Sequence, residues 1–239
     1  MNTASYTPGH SQNATDFMSK RSIQSHGQFF LSHLTPGVSV LDCGCGPGSI
    51  TLSIASLVDP GKVEGVDFGS SQIERATASA SSAGINNAQF RVGDCYSLPF
   101  DEGSFDRAFS HALMEHLSDP IRAMKELHRV LKPDGVIGVC SPDWGGFILA
   151  PPSAALTEAV EAYTTLQLGT YLKAAGFKDV RMSARYECYP SLELIGEYLA
   201  LQLEREGDTR SAATFREWSR SDSGMFAQCW VSGKARKER

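Results

Sequence analysis

Apolar positions in this chain come in short continuous runs, separated by stretches whose apolar residues recur at helical spacing. The run Val38-Ser39-Val40-Leu41-Asp42-Cys43 predicts a buried parallel strand. Glycines follow at every second position, Gly44, Gly46 and Gly48, and then Ile50, Ile54, Leu57 and Val58 fall on one helical face. The alternation continues with strands predicted over 62–67, 88–93, 105–110 and 136–140. A helix is expected from Ser70, and another from Asp119-Pro120, an N-cap followed by a first-turn proline, with Ala123, Leu127, Val130 and Leu131 as its stripe. Lys132-Pro133-Asp134-Gly135 reads as a turn. Five strands alternating with helices predict an α/β, parallel, doubly wound sheet.

The flanks read differently. Residues 1–15 lack periodicity, and a helix is expected from Asp16 through Phe17, Ile23, Phe29, Phe30, Leu31 and Leu34, ended by Pro36-Gly37. Phe17 has two readings, core packing or a helix that caps a ligand. Beyond Ser141–Gly146 the spacing of Leu156, Val160, Tyr163 and Leu166 predicts a helix, and Leu168–Ala175 another, stopped by Gly176. A sixth strand is expected over 180–189, then a helix through Leu192, Ile195, Leu199 and Leu203, a mixed stretch over 210–220, and a last strand over 226–232. The division expected is one domain: a cap over residues 1–35, a core over 36–146, helical inserts with strand six over 147–222, and a last strand and tail over 223–239. The inserts are candidates for a lid over the sheet's carboxyl edge.

Composition narrows the class. The 239 residues suffice for a sizeable core, and 41% hydrophobic residues with mixed charge describe an ordinary globular chain. No apolar run is long enough to span a bilayer, and the polar start lacks a signal-peptide pattern. A net charge of −5 argues against nucleic acid as the main partner. The basic tail Lys234–Arg239 reads as a solvated, frayed end. Six cysteines without a CxxC pair fit buried free thiols in a reducing cytoplasm better than disulfides or zinc, and no metal is expected.

A strand, a glycine turn and a helix form a nucleotide-type cofactor site, because glycine leaves backbone open to a ligand. Asp67, ending the second strand, can accept both hydroxyls of a ribose, or can cap the helix that starts at Ser70. The dinucleotide fingerprint is not met: its third glycine falls on Ser49. Asp42 reads as orienting the glycine loop through backbone hydrogen bonds rather than touching a ligand. Cys43 and Cys45 lack zinc spacing.

Four motifs together resemble the class I S-adenosylmethionine-dependent methyltransferases: Val40–Gly48, Asp67, Gly93-Asp94-Cys95, and Leu131-Lys132-Pro133-Asp134-Gly135. Leu98-Pro99-Phe100, Phe105-Asp106, Glu115-His116-Leu117, Asp119-Pro120 and Arg129–Pro133 look like the ubiquinone/menaquinone-biosynthesis type and its small-molecule relatives. The match runs from about Thr35 to Cys140; Asp134 stands where the family turn usually has glycine, and the Gln167-Leu168 join looks like a shortened loop or a missing piece. The resemblance implies a Rossmann-like, seven-stranded, mostly parallel sheet with an antiparallel last strand. It also implies roles. Gly44, Gly46 and the Cys45 backbone would line the methionine portion of S-adenosylmethionine, with backbone amides meeting its carboxylate, and Asp42 would stand behind them. Asp67 would hold the ribose, Phe68 would pack on adenine, and Asp94 with the Cys95 amide would read the adenine edge. Ser110 and His111 would lie near the sulfonium.

Methyl transfer needs alignment and dryness more than covalent help. His111 is the candidate base if the acceptor must lose a proton, with His10 or His116 behind it; the plain reading of His116 and His128 is helix-surface or turn residues. A small, apolar or aromatic acceptor is suggested by Phe147, Ile148, Leu149, Tyr163, Tyr171, Tyr198 and Trp218, although any one of these also reads as lid packing. A monomer or homodimer is expected. The rivals are a methyltransferase acting on RNA or protein, a non-catalytic cofactor-binding module of the same fold, and a nicotinamide oxidoreductase.

Overall fold

The computed structural model describes residues 21–160, 166–189, 191–205 and 207–238, so His10, Phe17 and Tyr163 lie outside the described residues. Its sheet is built outward from β1 (Val40–Cys43), all four residues of which are buried. A strand covered on both faces is predominantly apolar and takes parallel partners on both sides; Asp42 is the polar exception in β1. β2 (Val63–Asp67) sets Val66 opposite Cys43; β3 (Ala88–Val92) then sets Val92 opposite Asp67. β4 (Phe105–His111) lies on the other side of β1, with Phe109 opposite Asp42. β5 (Leu131–Ala150), β6 (Lys178–Cys188) and β7 (Met225–Arg236) complete a seven-stranded sheet in the order β3-β2-β1-β4-β5-β7-β6. It is mostly parallel, with antiparallel C-terminal strands, as expected.

The helices are α1 (Ile23–His26), α2 (Ser49–Val58), α3 (Ser70–Ala83), α4 (Pro120–Val130), α5 (Ala154–Val160), α6 (Leu168–Ala174), α7 (Leu192–Arg205) and α8 (Thr209–Trp218). The Asp119 carboxylate caps α4 by accepting the Arg122 amide at 3.0 Å, an interaction worth about 1 kcal/mol. The chain divides into two units: Met1–Ser141 with Gln167–Ser183 and Ser232–Arg239, and Pro142–Leu166 with Ala184–Val231.

In the first unit, Ile23, Phe30, Val40, Ile54, Val58 and Phe109 form the core under β1 and β4. Ser39 donates its amide and hydroxyl to Asp106 Oδ2 at 2.9 and 2.6 Å, and Lys132 Nζ donates to Oδ1 at 3.0 Å. Burial raises the Asp106 pKa, but those bonds outweigh it and hold the carboxyl at about 2. In the second unit Leu156, Leu199, Leu203, Phe215 and Trp218 pack together with Phe226. The Trp218 indole donates to the Ala150 carbonyl at 3.1 Å, and Tyr198 stacks on Trp144 with ring centroids 5.6 Å apart. Phe147 and Leu149 pack against the same cluster, so these aromatic and apolar side chains serve as core there.

Several expectations are corrected. The opening helix is not continuous: among the described residues α1 stops at His26, Gly27 follows, and Gln28–His33 is a 3-10 turn. Gly27 is buried against Ile23 and Phe109, and a Cβ there would come within 3.1 Å of the Phe109 ring. The Lys132–Gly135 turn lies within β5 as a looped-out segment: Leu131 faces Phe105 and Val136 faces Arg107, with Asp134 at a φ of 63°. β5 then continues through Ser141–Gly146 instead of ending at Cys140. The mixed stretch 210–220 is mostly α8, capped by Asp208 on the Ser211 amide at 3.0 Å, with Ala212, Phe215 and Trp218 inward.

The tail is not frayed either. Strand β7 reaches Arg236, Ala235 is buried, and Lys237 is 9% exposed. Lys237 exchanges backbone bonds with the looped-out turn, accepting from the Asp134 amide at 3.1 Å and donating to Gly135 O at 2.9 Å. Its ammonium donates to Leu131 O at 2.8 Å and Arg129 O at 3.3 Å, where α4 ends. A cation at a helix carboxyl terminus also meets the favourable end of its dipole.

Candidate functional site

The parallel register brings the carboxyl ends of β1, β2, β3 and β4 to one edge, and the site residues expected from sequence gather there. Strand order reverses at the β1/β4 neighbour pair, the place where open α/β sheets bind ligands.

Gly44, Gly46 and Gly48 follow β1 with φ of 78°, 52° and 83°, a left-handed backbone that side chains resist. Gly48 has a second reason: a Cβ there would lie 2.8 Å from Ala76 Cβ of α3 and 3.0 Å from the Phe90 ring of β3. The glycine therefore lets α2 start close to its neighbours, the task the dinucleotide pattern gives to a glycine one position later. The amides expected to meet a carboxylate donate inside the protein instead. Gly44 and Cys45 donate to Val66 O at 2.8 and 3.1 Å, and Gly46 donates to Asp67 Oδ2 at 2.9 Å.

Asp67 Oδ1 accepts the Gly69 amide at 2.9 Å, so the carboxylate braces both the glycine loop and the turn into α3. A carboxylate has about four lone-pair sites, which leaves capacity for a diol. Phe68 beside it is 83% exposed, an apolar ring left at the strand edge without protein cover. Asp94 Oδ1 accepts the Tyr96 amide at 2.8 Å. The following loop is held by Arg129, which donates to Phe100 O and Leu98 O at 2.8 and 3.1 Å and pairs with Glu126. Burial, reinforced by Asp94, pushes the Cys95 thiol up to about 12.

Asp42 is buried, and its Oδ2 accepts the Thr51 hydroxyl at 2.6 Å, so it fixes the glycine loop through a side chain of α2. Burial raises its pKa to about 7; the Thr51 bond opposes this and the Asp67 charge adds to it. Cys43 and Cys45 are buried thiols, pushed well up by the same desolvation.

At the end of β4, Ser110 is fully buried and its hydroxyl has no hydrogen-bond partner. The His111 ring meets the His26 ring edge-on with centroids 5.2 Å apart. The 3-10 turn Met114–His116 follows. His116 is a turn residue, one of the two expectations for it, but not a surface one: its side chain is 10% exposed. Burial lowers its pKa to about 4, helped by Arg21. Glu115 is 6% exposed, and burial raises it to about 7 against its own backbone, Ser141 and Arg21. The 3.6 Å approach of Glu115 to His116 is therefore not an ion pair at neutral pH, because the imidazole carries no charge there. Glu115 was visible in the sequence as a motif residue only; it faces Ser141, supplied by β5, and no local pattern announces that. His128 sits on α4 with its ring edge-on to Phe177 at 4.8 Å.

The model of the methyltransferase-domain family matches residues 34–185. The chain belongs to that family. It is of the class I, S-adenosylmethionine-dependent kind. It is 34% identical over 123 residues to an uncharacterised methyltransferase of Schizosaccharomyces pombe, covering 49% of this chain and 44% of that protein. It is 30% identical over 172 residues to the demethylmenaquinone methyltransferase of Geobacillus stearothermophilus, covering 61% and 73%. The crystal structure of a SAM-dependent methyltransferase from Aquifex aeolicus shares the fold with a TM-score of 0.61 at 18% identity, covering 96% of this chain and 100% of that one. The chain spans less than half the length of the first curated relatives it matches. The residues at the strand edge fit S-adenosylmethionine: left-handed glycines keep side chains off the loop, an uncovered phenyl stands beside a strand-end carboxylate, and a buried serine hydroxyl has no protein partner. Among the described residues no group of His, Cys, Asp or Glu could hold a metal ion, and no helix is long and apolar enough to cross a membrane.

Proposed function

We propose that this chain moves the methyl group of S-adenosylmethionine to a small, apolar or aromatic acceptor. The observation that carries the reading is the Asp67 carboxylate, tied to the Gly46 amide of the glycine loop with the exposed Phe68 ring at its side, inside the segment matched by the family. Asp67 accepts the ribose hydroxyls, Phe68 covers the adenine, and Asp94 with the Cys95 amide reads its edge. Because the Gly44, Cys45 and Gly46 amides are engaged internally, the loop offers carbonyl oxygens, which suit the cofactor's ammonium better than its carboxylate. Ser110 and His111 line the reacting end. The bound sulfonium supplies a methyl carbon already activated for displacement; the protein has to align the nucleophile and keep water out.

The acceptor class is supported by the small-molecule chemistry in the names of the menaquinone-type relatives and by the net charge of −5, which disfavours an RNA backbone. Calorimetry with S-adenosylmethionine and S-adenosylhomocysteine tests the donor, with micromolar binding expected. Asp67→Ala should weaken both ligands by about 1.5–3 kcal/mol, the range for a hydrogen bond to a charged group. No binding by a folded protein refutes the reading, and an unchanged affinity in the variant refutes the ribose role. A homocysteine-release screen over small quinols, phenols and amines then identifies the acceptor.

A further inference from the structure

Beside Ser110, which lines the reacting end, the methyl-transfer reading leaves two buried polar groups unused where β4 and β5 end, Ser141 and Glu115. Ser110 and Ser141 are each fully buried; the Ser110 hydroxyl has no hydrogen-bond partner, and the Ser141 hydroxyl is turned to Glu115. Ser110 faces Val139 in the register, and side chains alternate along a strand, so Ser110, Val139 and Ser141 share one face of the sheet. The turn Met114–His116 closes over the same edge, since the Ala112 amide donates to Cys140 O at 2.8 Å. From it Glu115 contributes a carboxyl whose Oε2 is buried without a partner. Buried polar atoms are almost always satisfied, and an orphan is costly. Ser141 and Glu115 face each other, and with the orphan Ser110 hydroxyl they place a polar cluster on adjoining elements at the carboxyl edge of a parallel sheet, where a ligand's polar group completes it.

We propose that Glu115 is the base of this enzyme, taking the proton from an acceptor that reacts through O–H or N–H, with Ser110 and Ser141 holding that group in place. The inference rests on the methyltransferase reading and deepens it. In the step, the acceptor's lone pair forms a bond to the methyl carbon and the carbon–sulfur bond breaks with its electron pair passing to sulfur. The acceptor's proton goes to the Glu115 carboxylate. Sulfonium and carboxylate thus become thioether and carboxylic acid, and charge balances without an outside base.

The groups facing Glu115 are Arg21 from the N-terminal segment, His116 on its own turn and Ser141 from β5. His116 is neutral above about pH 4, so it does not share the change of charge that Glu115 makes near neutrality. A carboxyl that charges near pH 7 beside a cationic donor must couple to it. S-Adenosylmethionine should bind more tightly as pH rises, whereas S-adenosylhomocysteine, whose sulfur is a neutral thioether, should not follow.

The test is calorimetry of both ligands on the wild-type chain from pH 6 to 8. A one-unit lowering of the Glu115 pKa by the sulfonium gives about a fivefold tighter Kd for S-adenosylmethionine over that range. Glu115→Gln should abolish the pH contrast between the ligands, and Glu115→Asp should restore part of it. Should the glutamine variant not fold, the wild-type contrast, followed together with the titration of the carboxyl by carbon-13 NMR of labelled glutamate, decides alone. Equal pH dependence for the two ligands, or a contrast that survives in Glu115→Gln, overturns the inference. If neither ligand binds at any pH, the methyltransferase reading itself has failed, and this inference with it.

Discussion

Replacing Gly48 by alanine tests whether the glycine loop is shaped by packing as well as by its ligand. At a φ of 83° the new side chain is in the left-handed region, a cost of about 1–2 kcal/mol. Its Cβ would lie 2.8 Å from Ala76 Cβ and 3.0 Å from two Phe90 ring atoms. Ala76 is on α3 and Phe90 on β3, so neither is the loose end of a flexible chain, and overpacking adds about 1–3 kcal/mol. The lost freedom of the unfolded chain returns roughly 0.4–1 kcal/mol. The net expectation is a destabilisation of about 2–4 kcal/mol, a large share of the stability of an ordinary domain. Urea titration followed by circular dichroism reads this as a lower midpoint at unchanged slope. The double variant Gly48→Ala with Ala76→Gly should recover part of the loss, since it removes the Cβ–Cβ collision but not the backbone strain. A single variant within about 0.5 kcal/mol of wild type, the scale of a neutral surface change, would refute the argument.

Three further outcomes follow from burial and charge. Asp42 and Glu115 are both raised to about 7, so between their unfolded values and pH 7 the folded chain holds protons the unfolded chain has lost, and stability falls as pH rises. His116, lowered to about 4, opposes this up to its unfolded value near 6.5, so the fall should be steepest just below pH 7 and flat above it. Melting temperatures from pH 5 to 8 check the sign, and Asp42→Asn, which keeps an acceptor for Thr51, should flatten the curve. Lys237→Ala removes a charged donor from Leu131 O and Arg129 O and should cost about 1.5–3 kcal/mol in the same urea assay; no change would return the tail to the frayed end expected from its sequence.

What the sequence made legible was local. Val40–Gly48 reads as a strand and turn because four adjacent residues are buried on both faces, and Asp119-Pro120 reads as a helix start because the cap and the ring act on their own neighbours. What was missed depends on distant chain. Gly27 ends α1 under the ring of Phe109, and the Lys237 ammonium meets a carbonyl 106 residues earlier. In α8 the inward residues Ala212, Phe215 and Trp218 are spread among arginines and a glutamate, so the stripe is thin until α7 is placed against it. At the site, Asp67 and Asp94 carried recognisable positions. The engagement of the loop amides by Val66 and Asp67, and the meeting of Glu115 with Ser141, join distant stretches of chain, and no spacing rule predicts them.

The grip of Lys237 on the looped-out turn has a bearing on the order in which the protein can form during synthesis. The unit that holds the glycine loop is made of three separate stretches of chain, the last beginning at Ser232. On the ribosome, Val40–Cys140 can emerge and pair its first strands while the turn at Asp134 and the end of α4 still lack their partner. Closure of that unit therefore waits until Lys237 has been made, after the helices of the other unit have already appeared. Such long-range closure is slow and leaves a nascent sheet edge exposed, which favours expression conditions that slow aggregation over those that speed translation.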